Sequence, residues 1–212
     1  MFVNPMGLAE LEHDALTEVV NIGMSRAASA LRKMVGHQVL LSVPDVEIVT
    51  RQEAAILIGA REGTELVAVE QIFSGTIAGR AMLIFPHAHS RELARAVVGE
   101  ELSDEDLSDL EQEALAETGN VILNSCLATM ANMLRRPLTM SIPTVNKGDA
   151  LTLFREPAEK DEDERVLFLY INFSIHQRDL RGYIAMMVGM PSMQSLKELL
   201  AEFVEQVIGD NE

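Results

Sequence analysis

The sequence predicts an α/β chain of the α+β type: a pseudo-two-fold repeat with a six-stranded, mostly antiparallel sheet, flanked by two long helices and shorter ones. Three observations lead there. Two long segments carry apolar residues at helical spacing, and each is followed by a strand that contains a proline. The same order of landmarks then occurs twice: Glu18, Asn21 and Pro44 stand at the same offset from Glu117, Asn120 and Pro143. Finally, Ile72-Phe73-Ser74 leads into Gly79 to Pro86 as Asn172-Phe173-Ser174 leads into Gly182 to Pro191. Two copies are too few for a solenoid, whose units need several neighbours to bury their faces. The expectation is therefore a single domain over residues 1–212, made of two repeats at about 8–100 and 106–208.

The first long helix is expected from about Leu8 to Met34, closed by Gly36. The second is expected from about Asp106 to Leu134 and stopped by Pro137, with Ser103 as N-cap beside the acidic run Asp104-Glu105-Asp106. Strands are predicted near His37–Val49, Glu65–Phe73 and Thr76–Phe85, with counterparts near Leu138–Val145, Val166–Ser174 and Leu180–Gly189. Helices near Ser90–Val98 and Met193–Val207 close the halves. Glu156 to Glu164 reads as a solvated, charged turn, and no segment has the length or polarity of an interdomain linker.

Composition narrows the functions. The 212 residues include 17 Lys and Arg against 33 Asp and Glu, a formal net charge of −16. Most of such a surface repels a phosphate backbone or an anionic leaflet, so neither nucleic acid nor membrane is an expected partner. With no Trp and two Tyr there is little material for stacking bases. A single cysteine, Cys126, excludes an internal disulfide and suits a reducing compartment. The first residues lack the basic flank and apolar run of a signal peptide, and the apolar stretch Tyr183–Met190 is far too short to cross a bilayer. A cytoplasmic location is expected.

The helices carry the chemistry. Asp14, Glu18, Asn21 and Ser25 fall on one face of a 3.6-residue helix, and Glu113, Glu117, Asn120 and Asn124 repeat the spacing. Nearly everything else on each helix is apolar or small, among them Leu16, Val19, Val20, Met24, Leu115, Ile122, Leu123 and Leu127. An ordinary surface helix shows a broad polar face. Here the polar line is narrow, so each helix is buried except along that stripe. Asn is a poor residue for a helix interior, yet it recurs at equivalent places.

Glu18-x-x-Asn21-Ile22-Gly23 and Glu117-x-x-Asn120, each ahead of a proline-containing strand, resemble the CheC family of chemotaxis phosphatases (the CheC/CheX/FliY superfamily). The resemblance runs from about residue 8 to 207. Ser25 stands where family members often carry glycine, and Glu113 where Asp or Ser is usual. The resemblance implies a cytoplasmic hydrolase that removes phosphate from the aspartyl-phosphate of a CheY-like response-regulator receiver domain. It also implies no cofactor in this chain, because the phosphorylated partner supplies Mg²⁺ and a lysine.

An acyl phosphate is already activated, so its hydrolysis rests on a positioned water and on neutralised phosphoryl charge. A carboxamide suits both tasks, accepting from water through oxygen and donating to a phosphoryl oxygen through nitrogen. Asn21 and Asn120 are the expected catalytic groups, with Glu18 and Glu117 pairing with the partner's lysine. Asp14, Glu113, Ser25 and Asn124 form the docking rim. The alternative is a non-catalytic adaptor that binds a response regulator or a CheD-like deamidase. Both asparagines favour the enzyme, since a docking surface needs no water-directing amide. The flagellar-switch branch usually carries a further C-terminal domain, and the ending at Glu212 sets the expectation against it.

Other chemistry-bearing residues have simpler readings. His87-Ala-His89 lacks a further metal ligand at a recognised spacing and reads as a loop between strand and helix. His13, His37 and His176 are isolated. Cys126 lies on the apolar side of its helix, and Met130, Met133, Met186 and Met187 read as core. No metal ligand set, phosphate loop or nucleophile elbow is apparent.

Overall fold

A computed structural model describes residues 8–43, 46–99, 104–155, 165–175 and 178–209. Its first half runs α1 (Glu10–Val35), β1 (Val39–Ser42), β2 (Val46–Thr50), α2 (Arg51–Glu62), β3 (Leu66–Gly75), β4 (Gly79–Pro86) and α3 (His87–Val98). The second half runs α4 (Asp104–Met133), β5 (Leu138–Met140), β6 (Thr144–Gly148), α5 (Ala150–Leu153), β7 (Arg165–Ile175), β8 (Arg178–Val188) and α6 (Met190–Gly209). The element order of one half is that of the other. Ser103, Pro44 and the Glu156–Glu164 turn, on which three expectations rest, lie outside the described residues.

The sheet order is β1-β7-β8-β4-β3-β5, with β2 also on β7 and β6 also on β3, and every pairing is antiparallel. Six positions across the sheet are filled, as expected, but each outer position is two strands. The register explains the break. Ser42 faces Asn172 and Val46 faces Leu169, so three residues oppose two. Met140 faces Phe73 and Thr144 faces Glu70, the same surplus of one residue. Each surplus is a β-bulge, and the second lies at Pro143, a residue that brings no N–H to a ladder.

The outer strands are exchanged between halves. The β1–β2 pair lies along β7, and β5–β6 lies along β3. β4 and β8 meet at the centre.

Strand alternation sends side chains to two cores. On one face Val69, Phe73, Leu83, Phe85, Leu169, Ile171, Phe173 and Ile184 pack under α1, α3, α4 and α6. On the other, Ala68, Met82, Ile84, Val166, Phe168, Ala185 and Met187 pack under Ala54, Ala55 and Ile58 of α2 and Leu153 of α5. The turn regions expected after the first and fourth strand sites thus contain helices.

The signal for α2 is a capping box. The Thr50 hydroxyl accepts from the Glu53 N–H at 3.2 Å, and the Glu53 carboxylate accepts from the Thr50 N–H at 2.8 Å. The first of these hydrogen bonds to the carboxylate, from the Thr50 backbone, holds Glu53 below the usual glutamate range. α5 starts likewise, with Asp149 accepting from the Thr152 N–H at 2.7 Å.

α1 ends at Gly36, whose φ of 72° is the left-handed conformation glycine adopts without strain. α1 and α4 lie against each other so closely that a Cβ on Gly23 would meet the Cα of Cys126 at 2.9 Å. α4 also presses onto β3, where a Cβ on Gly119 would stand 2.4 Å from a Val69 methyl.

Candidate functional site

Both stripes form as the spacing requires. Asp14, Glu18 and Ser25 are exposed on α1 and Asn21 is half-buried beside them; Glu113 and Glu117 are exposed on α4, with Asn120 and Asn124 half-buried. Residues between the stripe positions are core: Val19, Val20, Ile122 and Leu123 are nearly inaccessible. Each stripe therefore lies at the boundary between the helix layer and solvent. The four carboxylates are open to a partner.

The bulges give the asparagines their geometry. At the first, the Val43 N–H donates to Asn21 Oδ1 at 3.2 Å. At the second, Asn120 Oδ1 accepts from Asn124 Nδ2 at 2.7 Å and from Gln71 Nε2 at 3.2 Å, while Gln71 also donates to the Ser141 carbonyl at 2.9 Å. The ladder is closed there by the Ser141 hydroxyl, which accepts from the Ile72 N–H at 2.9 Å. Both carboxamide oxygens are thus held by protein donors, and among the described residues each Nδ2 is left for an outside acceptor. A planar amide pinned at oxygen has its N–H direction fixed.

The surroundings differ between copies. A shallow depression of about 360 Å³ beside α1 is lined by Glu18, Asn21, Ile22, Ser25, Arg26 and Ser29. Arg26 reaches the second helix and donates to Thr129 Oγ1 at 3.2 Å, which fixes a cation at the rim of that depression. Its counterpart on α4 is Ser125. Val43 is buried, whereas its counterpart Ile142 is 86% exposed. Arg26 and Gln71 escaped the sequence reading. Arg26 sits next to the stripe and is one of many surface cations. Gln71 is a lone polar residue in an apolar strand, visible only as a break in the alternation.

The remaining residues fall as follows. His87 and His89 do not form a loop: they open α3 directly after β4. His89 Nδ1 accepts from the Arg181 N–H at 3.1 Å, and His87 Nε2 lies 3.9 Å from the buried Glu111, which Lys147 approaches to 3.3 Å. His13 Nε2 meets the Val46 carbonyl at 2.9 Å. His37 is exposed, and His176 lies outside the described residues. Among the described residues no group of three or more His, Cys, Asp or Glu is placed to hold a metal. Cys126 is fully buried, and desolvation pushes its thiol up to about 12, which leaves it protonated and inert near neutrality. Met130, Met186 and Met187 are core, and Met133 packs at its edge. No described helix is long and apolar enough to cross a membrane.

A swapped pseudo-two-fold sheet with a Glu-x-x-Asn pair on each of two packed helices defines a class of α/β proteins that carry the same polar stripe twice. Residues 67–168 match the family model for the chemotaxis phosphatase CheX, and residues 11–48 match that for the CheC-like family. The chain is 26% identical to the CheY-P phosphatase CheC of Bacillus subtilis, over 90% of this chain and 94% of that one. Its fold is similar to that of FliY from Thermotoga maritima, with a TM-score of 0.70 at 18% identity, covering 95% and 99% of the two chains. A lower likeness, TM-score 0.50 at 13% identity over 82% and 99%, links it to the CheX–CheY–BeF₃–Mg²⁺ complex from Borrelia burgdorferi. The chain is thus similar to members of the CheC/CheX/FliY superfamily in both matched segments and, at 26% identity, over nearly its whole length.

Proposed function

We propose that this chain is a phosphatase that hydrolyses the aspartyl-phosphate of a CheY-type receiver domain, with Asn21 and Asn120 as the catalytic amides. The observation that carries this is the anchoring of both carboxamides at oxygen on the exposed lines of α1 and α4, so that each presents N–H groups toward a docked partner. The 26% identity to a CheY-P phosphatase over nearly all of both chains supports the same reading.

Water attacks phosphorus, the bond to the aspartyl oxygen breaks with its electron pair leaving to the carboxylate, and inorganic phosphate departs. The work is to hold the water in line and to offset charge on the phosphoryl oxygens. The Nδ2 groups donate to a phosphoryl oxygen or to the water's oxygen. An amide does this without adding negative charge beside the phosphate. Asn21 Oδ1 accepts one hydrogen bond and keeps a second acceptor position for a proton of that water. Glu18 and Glu117, one turn before each Asn and exposed, pair with the receiver's lysine, and Asp14, Glu113 and Ser25 frame the contact. Mg²⁺ arrives with the phosphorylated receiver and neutralises phosphoryl charge there. A cytoplasmic setting follows from such a partner.

The test is phosphate loss from a CheY-type receiver charged with acetyl phosphate, measured with and without the protein. The wild type accelerates loss, and Asn21→Ala with Asn120→Ala brings it back to the receiver's own rate while the circular dichroism spectrum is unchanged. A double variant as fast as wild type overturns the assignment.

A further inference from the structure

We propose that Gln71 is a positioning residue for the second site: it fixes the Asn120 carboxamide with oxygen inward and nitrogen toward the partner. The inference rests on the assignment of Asn120 as a catalytic amide.

Gln71 is on β3 opposite the second bulge and is 1% exposed. Its Nε2 donates to the Ser141 carbonyl at 2.9 Å, Asn120 Oδ1 at 3.2 Å and Asn124 Oδ1 at 3.4 Å. The opposite amide orientation would set its oxygen against three acceptors, so the surroundings define which end points to Asn120. Asn124, whose own Nδ2 donates to Asn120 Oδ1 at 2.7 Å, closes a ring of three amides. Asn120 Oδ1 then has both acceptor positions filled. What remains for a partner is its N–H pair, aimed by two neighbours that are themselves held.

Two features argue that this is more than packing. Gln71 Oε1 is buried and meets no donor among the described residues, a cost that an apolar residue at this position would avoid. The corresponding residue in the other half is Ile171, buried at 3% in the same core. The fold therefore accepts an aliphatic side chain here. The polar one appears only beneath the helix that carries Asn120. Gly119 completes the arrangement, since its missing side chain lets α4 approach β3 closely enough for Gln71 to reach. At the first site a backbone N–H, from Val43, performs the anchoring instead. Asn120 is thus a donor only, whereas Asn21 can also accept.

The experiment uses Gln71→Ile, the residue of the counterpart position, and Gln71→Met, which keeps length without a donor. Each is made in Asn21→Ala and in Asn120→Ala backgrounds and assayed on a CheY-type receiver charged with acetyl phosphate. In the Asn21→Ala background kcat falls by about 10- to 100-fold with KM unchanged, as misaligning a directing group does. In the Asn120→Ala background neither variant changes kcat. An equal fall in both backgrounds, a change confined to KM, or no turnover to lose in the Asn21→Ala background overturns the role.

A second readout is independent of turnover. The side-chain amide pair of Asn120 in ¹⁵N-edited spectra is shifted from free-amide values in wild type and returns to them in Gln71→Ile. An unshifted pair in wild type, or one unmoved by the substitution, overturns the positioning. If no receiver is dephosphorylated by wild type, the phosphatase reading fails while these spectra still decide the geometry.

Discussion

At the scale of single residues, two glycines set where Asn21 and Asn120 stand. A Cβ at position 119 would fall 2.4 Å from a Val69 methyl, and one at 23 would fall 2.9 Å from the Cys126 Cα. The Cys126 neighbour is backbone, so α1 must move bodily away from α4; at Gly119 a β-branched side chain on a packed strand must give way. Gly119→Ala is expected to cost about 1–3 kcal/mol, the usual range for overpacking, read as a lowered denaturant midpoint. It also lifts Asn120 from Gln71 and lowers turnover at the second site. For the asparagines, loss of one hydrogen-bonding group aimed at developing charge costs on the order of 10²–10³ in rate. Asn21→Ala and Asn120→Ala together should therefore leave only the receiver's spontaneous hydrolysis, measured as phosphate release. Neither Gln71 nor Gly119 announces its task in the sequence, because the residue each one meets lies tens of positions away. Gln71 and Asn120 are 49 residues apart.

At the scale of elements, α1, α3, α4 and α6 were legible, whereas α2 and α5 were not. Periodicity over many turns identifies α1 and α4, and their boundaries fall within a few residues of those expected. α2 has Ala54, Ala55 and Ile58 as its buried stripe, too brief to stand out between two strands. Its Thr50-x-x-Glu53 box was nevertheless a readable start. That box gives a pH test. Glu53 titrates below the ordinary glutamate range because the Thr50 N–H and hydroxyl bind its charged form. A carboxylate of this kind adds stability above its unfolded pKa of about 4.3 and loses it as pH falls through the lower folded value. Glu53→Gln should therefore lower the melting temperature at neutral pH and converge with wild type as the pH falls below the folded value. Thr50→Ala, which removes the cap, is expected to cost about 1 kcal/mol near neutrality. The split outer strands were legible only in part. The sequence showed a proline within each expected strand, while the break and the one-residue slip in register are properties of pairing with β7 and β3.

At the scale of the whole molecule, the exchanged outer strands decide how the chain folds. Each half lends β1–β2 or β5–β6 to the other's sheet, and α1 packs across α4. We infer one folding unit from this interlocking. Residues 8–99 alone would leave β3 without its outer partner and expose the apolar underside of α1. Expressed separately, each half should give a circular dichroism spectrum of low structure and collapsed amide dispersion, and joining both halves in one chain restores both signals. A well-dispersed spectrum from an isolated half would show that the exchange is not needed for folding.

By itself the sequence determined the plan of two halves, the long helices and the narrow polar line on each. These are local periodicities, set by 3.6 residues per helical turn and two per strand, and a repeated chain prints them twice. Tertiary structure alone decided how each asparagine is anchored. Asn21 leans on a backbone N–H freed by a bulge, and Asn120 on a buried glutamine from a different half. Such partners are chosen by strand exchange and by how closely a glycine lets a helix approach, distances that no spacing along the chain encodes.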